Sequence, residues 1–259
     1  MSSGFLANAT GEIGLIDWWT FGGLVLAGLV GVAAVVASRF DSVVSDGDVS
    51  IPVVLLNALV VNGALVALAV LVGLTLGADA GLGLVGPAGL RVDPLVVAGP
   101  LGVGVSVGIV ALDRTVFPSS SRAGLARSTA SNPDWRDGLL ASLYGGVTEE
   151  LLLRFGLLSL VLWLGWRALD PAVPRPPPIV AWLSIGVTAL LFGVSHLPAA
   201  ARDRTLSAVV VSRVVLLNAV GGVVFGWLFW QFGLVYAIAS HYAADVVLHV
   251  LVPRFSDVE

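Results

Sequence analysis

Seven apolar runs of near-spanning length fill this chain, at about 18–37, 51–76, 94–112, 138–165, 179–197, 205–230 and 234–252. Each approaches the ~20 residues that a helix needs to cross a hydrocarbon core. Inside such a core no water satisfies backbone N–H and C=O groups, so a run of this kind folds as a helix that bonds to itself. Only 12% of the residues are charged and mean hydropathy is +0.98, where soluble domains carry about 25% charged residues. The fold class expected is all-α: a polytopic transmembrane helical bundle of about seven spans. Six to eight stay open. Gln231-Phe232-Gly233 alone separates the last two runs, and Gly86-Pro87 and Gly99-Pro100 punctuate 81–112, where a re-entrant piece would fit.

The rest of the composition removes whole classes of chemistry. There is no cysteine, which excludes disulfides, thiolate metal sites and cysteine nucleophiles. No basic patch with interleaved aromatics points to nucleic acid. No basic region precedes the first apolar run, so the N-terminus does not read as a cleaved signal peptide. All thirteen basic residues are arginine, and they set the orientation. With the N-terminus outside, eight fall inside (Arg39, Arg114, Arg122, Arg127, Arg136, Arg202, Arg204, Arg254) and three outside (Arg91, Arg167, Arg175). The expectation is an integral multi-pass protein of the cell membrane, N-terminus outside and C-terminus cytoplasmic. Residues 1–137 would hold three spans and the cytoplasmic loop 113–137, 138–252 a membrane core, and 253–259 a short tail. The loop ends in Asn132-Pro133, a helix-start signal. Pro171, Pro174 and Pro176-Pro177-Pro178 make a stiff linker at the opposite face.

Against this background a few polar residues stand out. The chain has four glutamates, and Glu149 and Glu150 are adjacent inside an apolar stretch. One acidic residue at a helix centre costs at least ~2.5 kcal/mol on insertion scales, so a pair there implies a use. Arg154 follows Glu150 by four residues, which lets the two share a face and pair. Glu149 is turned about 100° away and is left free to face a cavity. The fifth run ends in Phe192-Gly193-Val194-Ser195-His196, a spacing at which a ring shields an imidazole. The sixth carries Arg213, read as snorkelling to the inner surface, and Asn218, read as interhelical glue. The seventh carries His241, Asp245 and His249 one turn apart. Gly104-x3-Gly108 and Gly222-x3-Gly226 read as close-packing positions. Taken singly, Glu150 with Arg154 is a structural ion pair and His196 an interfacial residue. Two carboxylates, two histidines and an aspartate on three spans point instead to a shared site.

A carboxylate beside a histidine in a water-bearing cavity can deprotonate water. Donors on another helix can stabilise the oxyanion of a tetrahedral intermediate. Those parts make a hydrolase for amide bonds in or beside the membrane. There is no His-Glu-x-x-His metal motif and no Gly-x-Ser-Gly nucleophile site. Ser195 directly precedes His196, so their side chains should diverge. A paired-aspartate mechanism finds only Asp245 well placed.

Taken in order, Glu149-Glu150-x3-Arg154, Phe192-x3-His196 and His241-x3-Asp245 resemble the motif set of the CPBP family, the CAAX-type prenyl-protein endopeptidases and bacteriocin-processing enzymes also called Abi proteins. The resemblance covers about 138–250, and Asn218 with Gly222 resembles a further polar position of the family. It implies an intramembrane glutamic endopeptidase. Glu149 would be the general base and His196 would help hold the water. His241 and Asp245 would bind the oxyanion, while Glu150 and Arg154 support Glu149. The implied partner, within the lipid bilayer, is a membrane-associated peptide or protein, prenylated or not. The family's last motif admits Asn or Asp. An ionised Asp accepts hydrogen bonds but donates none, so Asp245 would act protonated, orient His241, or help bind a metal. No cofactor is expected; the alternative is zinc, for which His196, His241, Asp245 and a glutamate are suitable donors. Two other readings stay open: a non-catalytic membrane scaffold or bacteriocin-immunity protein of the same fold, and a proton-coupled transporter.

Overall fold

A computed structural model describes residues 16–38, 52–53, 56, 58–86, 89–117, 135–169, 172–203 and 205–253. The serine-rich middle of the 113–137 loop with its Asn132-Pro133 helix start, Pro171, Arg39, Arg204 and the tail from Arg254 lie outside the described residues. Within them the chain is helical, with no strand. The helices are α1 Trp18–Ser38, α2 Ala58–Gly77, α3 Val92–Val116, α4 at 135–169, α5 Pro178–Ser195, the short α6 Leu197–Asp203, α7 Ala208–Phe232 and α8 Leu234–Val246. A π-helical turn, Val247–Leu251, prolongs α8. Six candidate membrane spans are long and apolar enough to cross a bilayer, with α6 running on from α5. The all-α multi-pass expectation is met.

The seventh long helix, α4, differs from those six. It alternates between α and π geometry, with π turns at Tyr144–Glu149 and Leu151–Leu158, and it carries Glu149, Glu150 and Arg154. It packs against α1, α2, α5, α7 and α8. Leu151, Phe155, Leu158 and Leu162 are buried in the core with Val66, Ile185 and Phe229. Leu26, Leu68, Val96, Val107, Leu183 and Leu190 point outward, as lipid-facing residues should. The Glu150 and Arg154 side chains are thus enclosed by the surrounding helices, which keeps these ionisable groups away from hydrocarbon.

Small residues set how closely these helices approach. Gly222 and Gly226 on α7 abut Ala189 and Ile185 on α5, as read from the sequence. Gly104 and Gly108 face open space, and the tight contact on α3 is made by Gly102 against the Ser240 carbonyl of α8. Ser106 Oγ reaches the Ala244 carbonyl at 2.9 Å across the same contact. Pro100 lies inside a continuous α3, so Gly99-Pro100 marks no re-entrant break.

Two junctions tie the ends of the bundle. At the end bearing the proline linker, the segment after α2 hydrogen-bonds to the turn between α7 and α8. Gly86 N donates to Phe232 O at 2.6 Å, Leu234 N to Gly83 O at 3.0 Å and Val235 N to Leu84 O at 3.1 Å. Gly233 makes this turn with φ of 104°, a left-handed value that glycine adopts at little cost. Nearby, Asp79 accepts from Trp163 Nε1 at 2.8 Å and from an Arg167 nitrogen at 2.6 Å. Burial pushes the Asp79 carboxyl up, but the Arg167 and Trp163 donors outweigh it and hold the pKa below the ordinary value.

At the opposite end, Arg213 does not snorkel. Its Nε and a terminal nitrogen grip Asp113 at 2.6 and 2.8 Å, joining α7 to α3. The partner was hard to foresee because it lies 100 residues away in sequence. Asn218 is likewise no interhelical bond in its donor: Nδ2 donates to Val214 O on its own helix at 2.8 Å.

Candidate active site

The buried centre of the site is Glu150. Its Oε1 lies 2.9 Å from an Arg154 terminal nitrogen, one turn along α4, and 2.7 Å from His241 Nδ1 on α8. Glu150 is 0% and Arg154 3% exposed. The Arg154 contact is close but poorly aligned, so that Glu150 Oε2 and both terminal nitrogens of Arg154 lack a protein hydrogen-bond partner. The guanidinium instead lies over two ring faces, Phe192 at 4.7 Å and Phe225 at 5.4 Å from the centroids. Aromatic faces attract a cation, more so when it is desolvated.

This arrangement fixes His241. A carboxylate only accepts, so the 2.7 Å contact requires the Nδ1 proton to be donated to Glu150. Phe225 stacks on the imidazole with centroids 4.5 Å apart and planes at 18°, and Phe192 meets it edge-on at 5.8 Å. Nε2 then points at the two remaining carboxylates, 4.0 Å from Glu149 Oε2 and 3.6 Å from Asp245 Oδ1. In the neutral tautomer, three acceptors face one another across gaps too long for direct hydrogen bonds. A bridging water fits such a gap.

The neighbouring glutamates are divided as the spacing implied. Glu150 is sealed inside, whereas the Glu149 side chain is 19% exposed. The π turn that ends at Glu149 belongs to a class of local widening that often occurs at functional sites. Gly145 and Gly146, in the same turn, let α8 come close. A Cβ on Gly145 would overlap Asp245 Oδ2, and one on Gly146 would sit 2.7 Å from the Tyr242 Cβ.

His196 caps the end of α5. Its Nδ1 donates to Phe192 O at 2.8 Å, which leaves Nε2 as the acceptor of the neutral ring. Ser195 does not diverge from it: Oγ lies 3.4 Å from His196 Nδ1. Both groups turn to the same carbonyl, with Ser195 Oγ donating to Phe192 O at 2.7 Å, so the serine proton is not held by the imidazole. His196 joins the cluster through Phe192, whose ring it meets at 4.7 Å.

Glu149, Glu150, Arg154, His241 and Asp245 therefore form one contact network, and His196 is linked to it through the ring of Phe192. Sequence reasoning missed the Glu150–His241 bond, the Phe225 stack and the Gly145 contact. The bond spans 91 residues, and phenylalanine and glycine are too common in this chain to signal a site. The donors best grouped for a cation are His241 Nε2, Glu149 and Asp245. Among the described residues, however, no set of three or more His, Asp or Glu is arranged as metal ligands.

No curated protein and no solved structure matches the chain. Residues 131–247, the segment running from the start of α4 through Glu149 and Asp245, match the family model described as type II CAAX prenyl endopeptidase Rce1-like, a family of proteases. The match covers less than half of the chain and supports, over this segment, the resemblance of the motif set to the CPBP family of CAAX proteases.

Proposed function

We propose that this protein is an intramembrane endopeptidase that hydrolyses a peptide bond of a membrane-associated substrate with water activated by Glu149. The observation that carries the reading is the accessible Glu149 carboxylate set 4.0 Å from the Nε2 of an imidazole whose other nitrogen is engaged by Glu150. A water between them gives its proton to Glu149 as its oxygen attacks the scissile carbonyl. His196 Nε2 helps hold that water. With a proton on each nitrogen, His241 donates Nδ1–H to Glu150 and Nε2–H to the developing oxyanion. Glu149 then returns its proton to the leaving amine, which closes the cycle without a resident metal. Asp245 as a carboxylate cannot donate to an oxyanion, so its part is to orient His241. Glu150 and Arg154 keep that ring in place.

The substrate class is a membrane-embedded peptide or protein, with a prenyl group near its C-terminus as the favoured mark. The eight-to-three arginine bias supports a cytoplasmic 113–137 loop in the cell membrane, N-terminus outside. The site would then open toward the cytoplasm.

The test compares native membranes from cells expressing the wild type and Glu149→Gln at equal levels, with protein termini mapped by mass spectrometry. Removing a general base costs about 10²–10⁴ in rate, so the termini that depend on the enzyme disappear in the variant. Identical termini would overturn the reading in favour of a non-catalytic scaffold or immunity protein. Termini lost from wild-type membranes on chelation, and restored by zinc, would replace the metal-free mechanism with a zinc-dependent one.

A further inference from the structure

We infer that His249, which lies beyond the segment matched to the family, is a positioning residue that holds the Asp245 carboxylate in its working orientation. The role rests on the reading of His241 and Asp245 as parts of the site. The argument starts from the hydrogen-bond needs of Asp245. A carboxylate has acceptor positions on both oxygens and no donor, and the side chain is only 13% exposed. Its Oδ2 is pressed against the Gly145 backbone, which offers no side chain. Its Oδ1 faces His241 Nε2 at 3.6 Å. Glu150 takes the Nδ1 proton of His241. The neutral ring therefore offers Asp245 a lone pair, and in the doubly protonated ring used in the reaction the Nε2–H is given to the oxyanion, so in either state Asp245 needs a donor from elsewhere.

The missing donor stands one turn further along the same helix. His249 Nε2 lies 3.9 Å from the same Oδ1, so two imidazoles bracket one oxygen. Either a neutral ring protonated at Nε2 or an imidazolium can donate there with a small closure of the gap. The residue is held at that place by its backbone. Its carbonyl sits against Gly138, where a Cβ would come within 2.7 Å, and the π turn Val247–Leu251 carries it. The side chain is 51% exposed, between the largely covered Asp245 carboxylate and the loop-bearing end of the bundle. A solvated residue at that position has no packing task, and its fixed polar neighbour is Asp245.

The chain has three histidines, so imidazole ¹⁵N spectra of the full-length protein in lipid nanodiscs resolve few signals. His249→Leu and His196→Gln assign them, and the His241 ring then reports on its surroundings. His249→Leu is expected to shift the His241 nitrogen signals, because Asp245 loses its donor. His249→Gln, whose amide N–H reaches to a similar point, should return them toward the wild-type positions. In an Asp245→Asn background, which supplies its own N–H, His249→Leu should move His241 no further. His241 signals that ignore His249→Leu, or that shift equally with and without Asp245, would overturn the inference. Thermal unfolding of each variant checks that it is folded. The spectra read nuclei and not turnover, so failure here is separate from failure of the endopeptidase reading.

Discussion

Glu150 Oε1 joins two motifs that are distant in sequence, with His241 Nδ1 at 2.7 Å on one side and the Arg154 guanidinium at 2.9 Å on the other. The shared oxygen makes the ion pair and the imidazole a single unit. Removing either partner leaves a buried charge without its counter-charge, held by the His241 N–H alone for Glu150 and by the two ring faces for Arg154. Breaking such a pair costs about 3–5 kcal/mol, whereas replacing both members by neutral groups is often close to neutral. Glu150→Gln and Arg154→Met should each lower the unfolding temperature in detergent, and the double variant should recover at least half of the loss. Single variants no less stable than the double would show that the pair is not coupled.

Gly145 is the point where α4 admits Asp245. Gly145→Ala forces its Cβ into Asp245 Oδ2, an overpacking that costs about 1–3 kcal/mol. The same change at Gly104, which has open space around it, should be neutral or stabilising by up to about 1 kcal/mol through helix propensity. The two are compared by thermal unfolding and by the termini assay. Gly145→Ala is expected to lose turnover beyond its loss of stability, and equal behaviour of the two variants would count against the contact.

The orientation is open to direct chemistry, because a chain without cysteine accepts single reporters. Ser120→Cys in the long loop should resist a membrane-impermeant maleimide added to intact cells and react once the cells are opened. Ala172→Cys in the proline-rich linker should react from outside. The reverse pattern would invert the topology.

Asp79 gives a pH dependence with a definite sign. Its folded-state pKa is depressed by the Arg167 and Trp163 donors despite burial. Its stabilising contribution is therefore complete above the unfolded carboxylate value of about 3.9. It is lost as pH falls through the lower folded value. The difference in unfolding temperature between wild type and Asp79→Asn should be present at neutral pH and vanish in strong acid. A difference that grows on acidification would contradict the assignment.

How legible all this was depends on what kind of physics each feature expresses. Spans are written in one dimension, by composition and length, so the helices were readable run by run. The Glu150–Arg154 pair was readable because both ends lie on one helix, four residues apart. Arg213 was misread because its partner, Asp113, sits on another helix, and no local pattern points from one to the other. The Glu150–His241 bond was hidden for the same reason. Ser195 and His196 were expected to part, yet both turn to the Phe192 carbonyl at the end of α5. That convergence is a property of a helix terminus and its free carbonyls, which a pure angle-per-residue argument ignores.

The short ladder that binds Gly83, Leu84 and Gly86 to the turn at Gly233 means that the recognisable part of the molecule is not self-sufficient. The helix bearing His241 and Asp245 begins with backbone donors whose acceptors come from a region that carries no motif. Further along, α3 covers its Ser240 and Ala244 face. A fragment trimmed to the matched residues would bare that face and strand those donors. The motif-free portion thus serves as a scaffold whose contribution is made by backbone acceptors and close packing, features that depend on fit more than on any particular side chain.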